Sequence, residues 1–293
     1  MNKKIIGMLV CTLLIATAIP AVKSLENSAI NSTVPSVPLT SMTSWIQKQN
    51  LLASDGAVED YFGISVSLDG DTALIGAYMD DDYGYWSGSA YVFTRTGTTW
   101  TQQAKLLAPD GGAFHSFGWS VSLDGDTALI GAAWDAYKGV DSGSAYVFTR
   151  TGTTWTQQAK LFASDAAPGD YFGISVSLDG DTALIGAYKD DDKGIDSGSA
   201  YVFTRTGTTW TQQAKLLASD GTAEDYYGLS VSLSTDTALI GAPLAGNNGA
   251  GSSYVISRTG GTTCFPSPFL GLVERLMQRF PHAFPIIWHL LGY

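Results

Sequence analysis

The chain has 293 residues, 45% hydrophobic and 15% charged, with a formal net charge of −11. That length suits one sizeable domain with short ends. The acidic balance excludes long-range electrostatic recruitment to nucleic acid or to an anionic membrane surface, and it favours cations.

In chain order, residues 1–23 read as a secretory signal peptide. Lys3 and Lys4 open it, Ile5 to Ile19 is apolar, and Ala16, Ala18 and Ala21 offer small residues for cleavage. The alternative is an uncleaved anchor, for which the apolar run is short. Cleavage removes Cys11 and leaves Cys264 without an internal disulfide partner. Residues 24–43, rich in Ser, Thr, Asn and Pro, read as a flexible spacer. This start predicts a secreted protein displayed at a cell surface.

Residues 44–263 form four units. Trp45, Trp100, Trp155 and Trp210 are spaced by 55, as are Gly63, Gly118, Gly173 and Gly228. A fixed period of this length means one supersecondary unit copied in tandem. In the third unit, residues 171–178 alternate bulky and small side chains and predict a first strand. Asp179-Gly180 closes a hairpin onto a second strand, Thr182 to Ala187, apolar enough to be buried on both faces. Residues 199–205 predict a third strand. Residues 210–216, with two glutamines and a lysine, predict an outer, solvent-facing fourth. Helical periodicity is weak throughout.

Four antiparallel strands per unit at a fixed interval predict an all-β fold, a β-propeller of four four-stranded blades. The fourth unit lacks an outer strand before the chain turns proline-rich after Thr263. Ser44 to Leu52 carries that strand's sequence at the other end. The expectation is therefore a ring closed by the N-terminal strand pairing with Ser253 to Arg258, with Trp45 in the environment of the other repeat tryptophans. Residues 264–293 predict a tail with an apolar helical face, Phe269, Leu272, Val273, Leu276 and Phe280. It would pack on the propeller or attach the protein to the envelope.

The dipeptides Phe62-Gly63, Phe117-Gly118, Phe172-Gly173 and Tyr227-Gly228 start the first strands. Gly76-Ala77, Gly131-Ala132, Gly186-Ala187 and Gly241-Ala242-Pro243 end the second strands. This pattern resembles the FG-GAP repeat, the blade unit of integrin α-subunit propellers and of many microbial surface proteins. The resemblance spans Trp45 to Thr263. It implies seven blades where this chain has four units. It also implies a calcium loop between first and second strands, where this chain has only the short Leu68-Asp69-Gly70-Asp71-Thr72 and its copies. Such a loop is too short to wrap the ion, so folding is expected to be independent of calcium.

Three sets of residues remain as candidate sites. Asp80, Asp82, Asp190, Asp192 and Asp196, in the loops between second and third strands, offer carboxylates to a hard cation such as calcium, or form solvated turns. A second acidic loop, Asp55, Asp110, Asp165 and Asp220, keeps register before each first strand. It caps turns or makes a negatively charged face. Tyr83, Tyr85, Trp86, Trp134 and Tyr137 depart from the repeat and present aromatic faces that stack on sugars, or pack within their loops. His115 is the one histidine inside the repeats, and no catalytic triad or metal-binding His/Cys set can be assembled. The sequence therefore points to adhesion or glycan or protein binding without catalysis. An extracellular hydrolase or lyase, or a structural spacer, are the other readings.

Overall fold

The computed structural model describes residues 44–258. The predicted signal peptide, the spacer and the C-terminal tail lie outside the described residues. Residues 44–47 belong to a unit separate from the repeats. The repeats form four antiparallel sheets. The first is β1 (Val66–Asp69), β2 (Thr72–Ala77), β3 (Ser89–Thr96) and β4 (Thr99–Leu106). The second is β5 (Ser120–Asp124), β6 (Thr127–Ala132), β7 (Ser144–Thr151) and β8 (Thr154–Leu161). The third is β9 (Val176–Asp179), β10 (Thr182–Ala187), β11 (Ser199–Thr206) and β12 (Thr209–Leu216). The fourth has three strands, β13 (Ser230–Ser234), β14 (Thr237–Ala242) and β15 (Ser252–Ser257). Strands follow sequence order within each sheet.

Turn chemistry accounts for these hairpins. Asp179 pairs with Thr182 across Gly180-Asp181, and Gly180 supplies a φ of 56° at the first loop position. In the fourth sheet Thr235 takes that place with a φ of 52°. The first strands begin later than their alternating pattern predicts, at Val176 rather than Tyr171 in the third unit. Tyr171 and Gly173 are left-handed, with φ of 55° and 91°. Phe172 therefore leaves its own sheet and bridges to Gly143 of the preceding unit, while Gly173 N–H still donates to the Gly186 carbonyl of its own second strand at 2.9 Å.

Stacking of one sheet on the next makes the core. Leu74, Ala90, Val92 and Leu106 of the first sheet bury against Phe117, Val121, Leu123, Ile130 and Trp155 of the second unit. Homologous sets fill the next two junctions. The middle strands β2 and β6 are buried at every position, because each has a neighbour on both faces. Polar contacts repeat too. Ser65, Ser120 and Ser175 each donate from Oγ to the Gly118, Gly173 and Gly228 carbonyls at 2.8 Å. A Cβ on Gly131 would lie 2.0 Å from the Gly173 carbonyl oxygen. The second-strand glycine is thus what lets backbone meet backbone.

Among the described residues the expected ring closure is not formed. Residues 44–50 make no strand, Trp45 is wholly exposed, and β15 is an unpaired edge. Residues 49–54 sit on the first sheet instead. The Gln49 side chain brackets the Trp100 backbone, donating to its carbonyl at 2.8 Å and accepting from its N–H at 2.9 Å. Leu51 and Ala53 pack beside Ile75 and Phe93. The reason lies in the repeat. The same contacts recur at three junctions, each seating one sheet on the next, and none of them joins the fourth sheet to the first. Val66 and Leu68 on the first sheet, and Leu239 and Val255 on the fourth, stay exposed.

Candidate functional site

Seven aromatic rings run in unbroken contact across all four units. Tyr61 meets Tyr78 (5.5 Å between ring centroids), Tyr78 meets Trp119 (4.7 Å), and Trp119 meets Trp134 (4.5 Å). Trp134 meets Tyr171 (5.6 Å), Tyr171 meets Tyr188 (5.5 Å), and Tyr188 meets Tyr226 (5.4 Å). The contacts are tilted or edge-to-face, the arrangement the ring quadrupole prefers. Tyr61 is exposed and the other six are half-buried, so each ring keeps a surface in water.

The repeat builds this belt from two positions. Tyr61, Tyr171 and Tyr226 precede the first strand, and Tyr78 and Tyr188 follow the second. The second unit has Ser116 and Ala133 at these places, and the missing rings come from Trp119, three residues on, and from the adjacent Trp134. Tyr61, Tyr171 and Tyr226 hold φ of 55°, 55° and 57°. A bulky residue in the left-handed region is costly, by roughly 1–3 kcal/mol, and such strain collects at functional sites. The backbone of the preceding loop holds it in place: Tyr171 N–H donates to the Asp141 carbonyl at 3.0 Å and Tyr226 N–H to that of Asp196 at 3.2 Å.

Polar groups flank the rings. The Tyr171 hydroxyl lies 3.4 Å from Asp141 Oδ2, and Lys189 Nζ lies 3.8 Å from Asp196 and over both Tyr171 and Tyr188. Burial, and then the Asp141 charge, pushes the Tyr171 phenol above its ordinary value. Burial does the same at Tyr188. These phenols are therefore neutral donors at neutral pH.

The acidic loops serve a different structure. Lys215 Nζ lies 2.7 Å from Asp165, 2.8 Å from Asp190 and 2.7 Å from Asp192. Lys105 gathers Asp55, Asp80 and Asp82 in the same way, and Lys160 gathers Asp110 and Asp135. A buried tyrosine completes each cluster. The Tyr201 hydroxyl donates to Asp190 at 2.8 Å, and Tyr91 and Tyr146 donate to Asp80 and Asp135, each at 2.7 Å. Burial pulls the Lys215 pKa down, but the three carboxylates outweigh it and hold it above its usual range. Asp165, Asp190 and Asp192 are close enough together to hold a metal ion. A divalent ion there would have to displace the ammonium.

The residues singled out in the sequence are thus placed as follows. Asp80, Asp82, Asp190 and Asp192 converge on lysines, joined by the Asp55 and Asp165 loops, while Asp196 faces Lys189. Tyr85 stacks on Trp86 at 4.6 Å, and both meet Phe114 edge-on. Tyr137 packs on Phe162 under Lys138 and Lys160, and Tyr83 is exposed. Only Trp134 of these five belongs to the belt. Of the other six rings, the five tyrosines recur with the repeat and read as framework, while Trp119 stands alone at a position held by Ile64, Ile174 and Leu229 elsewhere. The recurrence of the tyrosines at the Phe-Gly and Gly-Ala boundaries was the signal.

Asp170 gives a pH test of this region. It is buried and accepts from Ala167 N–H at 2.7 Å. Burial pushes its carboxyl up to about 6, against the Ala167 hydrogen bond and with help from the Asp190 charge. A folded pKa above the unfolded one contributes stability below about pH 4, which is lost as pH rises through about 6. Carbon-detected NMR should find a midpoint near 6 for Asp170, and Asp170→Asn should flatten the stability profile between about pH 4 and 6. A midpoint near 4, the ordinary carboxylate value, would contradict this account.

Comparison with known proteins supports the repeat assignment. The family model described as FG-GAP repeat matches residues 45–93, 100–148, 155–203 and 210–256. No curated protein matches the chain.

Proposed function

Because the chain belongs to the FG-GAP repeat family, we propose that it is a secreted, surface-displayed binding protein that holds a glycan on the aromatic belt without catalysis. The single observation that carries this reading is the continuity of the belt: seven partly exposed rings in contact through four units. Sugars offer apolar C–H faces for stacking and hydroxyls for hydrogen bonds. The belt offers rings for the first and neutral phenols, Asp141, Asp196 and Lys189 for the second. The apolar N-terminal start supports secretion.

A glycan array on the purified protein, followed by calorimetry on the best oligosaccharide, tests it. Trp119→Ala and Trp134→Ala should each weaken binding about tenfold, or roughly 1.4 kcal/mol, as the loss of a stacking ring implies. Trp86→Ala, outside the belt, should leave affinity unchanged. Equal affinity in all three variants, or a blank array, would remove the basis for the proposal.

A further inference from the structure

We propose that the fourth sheet is completed by a second copy of this chain, which docks its first sheet on the exposed face and donates residues 44–52 as the missing outer strand. This association is independent of glycan binding. Its template is the three junctions inside the chain, which specify what each face accepts.

Consider first the acceptor end. Leu239 occupies the repeat position of Leu74, Leu129 and Leu184, which are 0% exposed against the next sheet, yet Leu239 is 46% exposed. Val255 occupies the position of Val92 and Val147, both 0% exposed, and is 67% exposed. Gly251 keeps a φ of 83°, matching 81°, 81° and 83° at Gly88, Gly143 and Gly198, the glycines that bridge to the next Phe-Gly or Tyr-Gly pair. The fourth unit is thus shaped to receive a following unit.

The donor end is its complement. Val66 and Leu68 hold the positions of Val121 and Leu123, which are 9% and 6% exposed in the second sheet, yet they are 68% and 66% exposed. Those equivalents pack on the preceding sheet. The two free faces of this chain are therefore the two halves of one junction. Among the described residues the halves of a single molecule do not cover each other, since Val66, Leu68, Leu239 and Val255 all stay exposed, and a second molecule brings its own donor face.

The strand site is formed as well. Between β12 and the β15 edge lies a groove of about 300 Å³, lined by Ala214, Leu216, Leu233, Ala238 and Ile256 with Gln213 at its side. One and two units earlier, the same positions hold Trp210 and Trp155. Their Nε1 donate to Gln158 and Gln103 at 2.9 Å and 3.0 Å. Gln213 is the next glutamine in this series. The occupant that matches is a strand with tryptophan in that register, which is Trp45 in Ser44 to Leu52, wholly exposed here. Adding a strand to the β15 edge would pair its open backbone groups. The contact is heterologous, so it grows head to tail or closes into a ring.

Sedimentation velocity on the purified full chain at rising concentration tests this. Wild type should shift from one mass to its multiples. Val255→Asp blocks the acceptor face and Val66→Asp the donor face; both residues are exposed, so the variants should keep the wild-type circular dichroism and melt. Each alone should stay at the single-chain mass. Their equimolar mixture retains one donor and one acceptor, and should double in mass without growing further. Trp45→Ala should weaken association at least tenfold without changing the melt. A wild type that remains single at every concentration overturns the proposal, as does association that persists in either face variant or a mixture that fails to pair.

Discussion

Gly131→Ala should lower the thermal midpoint by roughly 6–12 °C, while the same change at Gly241 should leave it nearly unchanged. The two glycines share one repeat position, in β6 and β14. At Gly131 the new methyl would lie 2.0 Å from the Gly173 carbonyl oxygen, which is backbone of the next sheet. That oxygen also accepts from Ser120 Oγ, so the junction cannot yield at one atom. Overpacking of this kind costs about 3 kcal/mol, and about 2–4 °C of midpoint follows each kcal/mol in a domain this size. At Gly241 the methyl meets only the Ser230 hydroxyl, at 2.3 Å, and a rotated side chain removes the clash. Glycine within a strand is itself unfavourable by about 0.5–1 kcal/mol, which offsets what remains. Calorimetric melts of both variants at low protein concentration make the comparison. Equal shifts would mean that strand geometry, and not the approach of the next sheet, selects glycine here.

Lys215→Met should destabilise the protein by about 2–4 kcal/mol at pH 7, and by much less near pH 3. The ammonium balances three carboxylates, and the Asp190 side chain is buried. Removing one partner of a buried ion pair costs about 3–5 kcal/mol. Here the loss is reduced because Asp165 and Asp192 stay partly exposed and water screens them. Burial raises the Asp165 pKa, but the Lys215 hydrogen bond and charge outweigh it and hold the carboxyl below the usual range. A lowered folded pKa contributes stability above the unfolded value, about 3.9, which disappears as pH falls through the folded value. The variant lacks this contribution, so the gap between variant and wild type should close under acid. Denaturant unfolding at the two pH values measures it. A gap of the same size at both would assign the loss to packing of the lysine stem. Asp190→Asn in the variant background should recover part of the stability, since it removes the stranded charge.

The parts of the structure legible in the sequence were those fixed by short-range chemistry. Alternation and the Asp179-Gly180 turn signal placed β10 to β12 within a residue or two, although the loop itself is Gly180-Asp181. The wholly apolar second strand was expected to be buried on both faces, and β2 and β6 are. The same signals misplaced the start of the first strand. Tyr171 and Phe172 alternate as strand residues do, but their backbone turns out to meet the preceding unit. Asp190 and Asp192 were legible as carboxylates, whereas Lys215, 23 residues beyond Asp192, could be joined to them only by folding β12 onto β11.

Periodicity, composition and turn residues by themselves determined the all-β class, the unit of 55 residues, the strand order within each sheet and the membership of the repeat family. These depend on contacts within one unit, and every unit carries its own copy of the instructions. Tertiary structure alone decided whether the ends meet, which carboxylates share a lysine, and which rings join the belt. The lysine clusters depend on folding β12 and its equivalents back within a unit, and the other two on contacts between consecutive sheets. The seating of one sheet on the next is set by backbone contacts between units, such as Gly131 against Gly173, which no single unit's sequence displays.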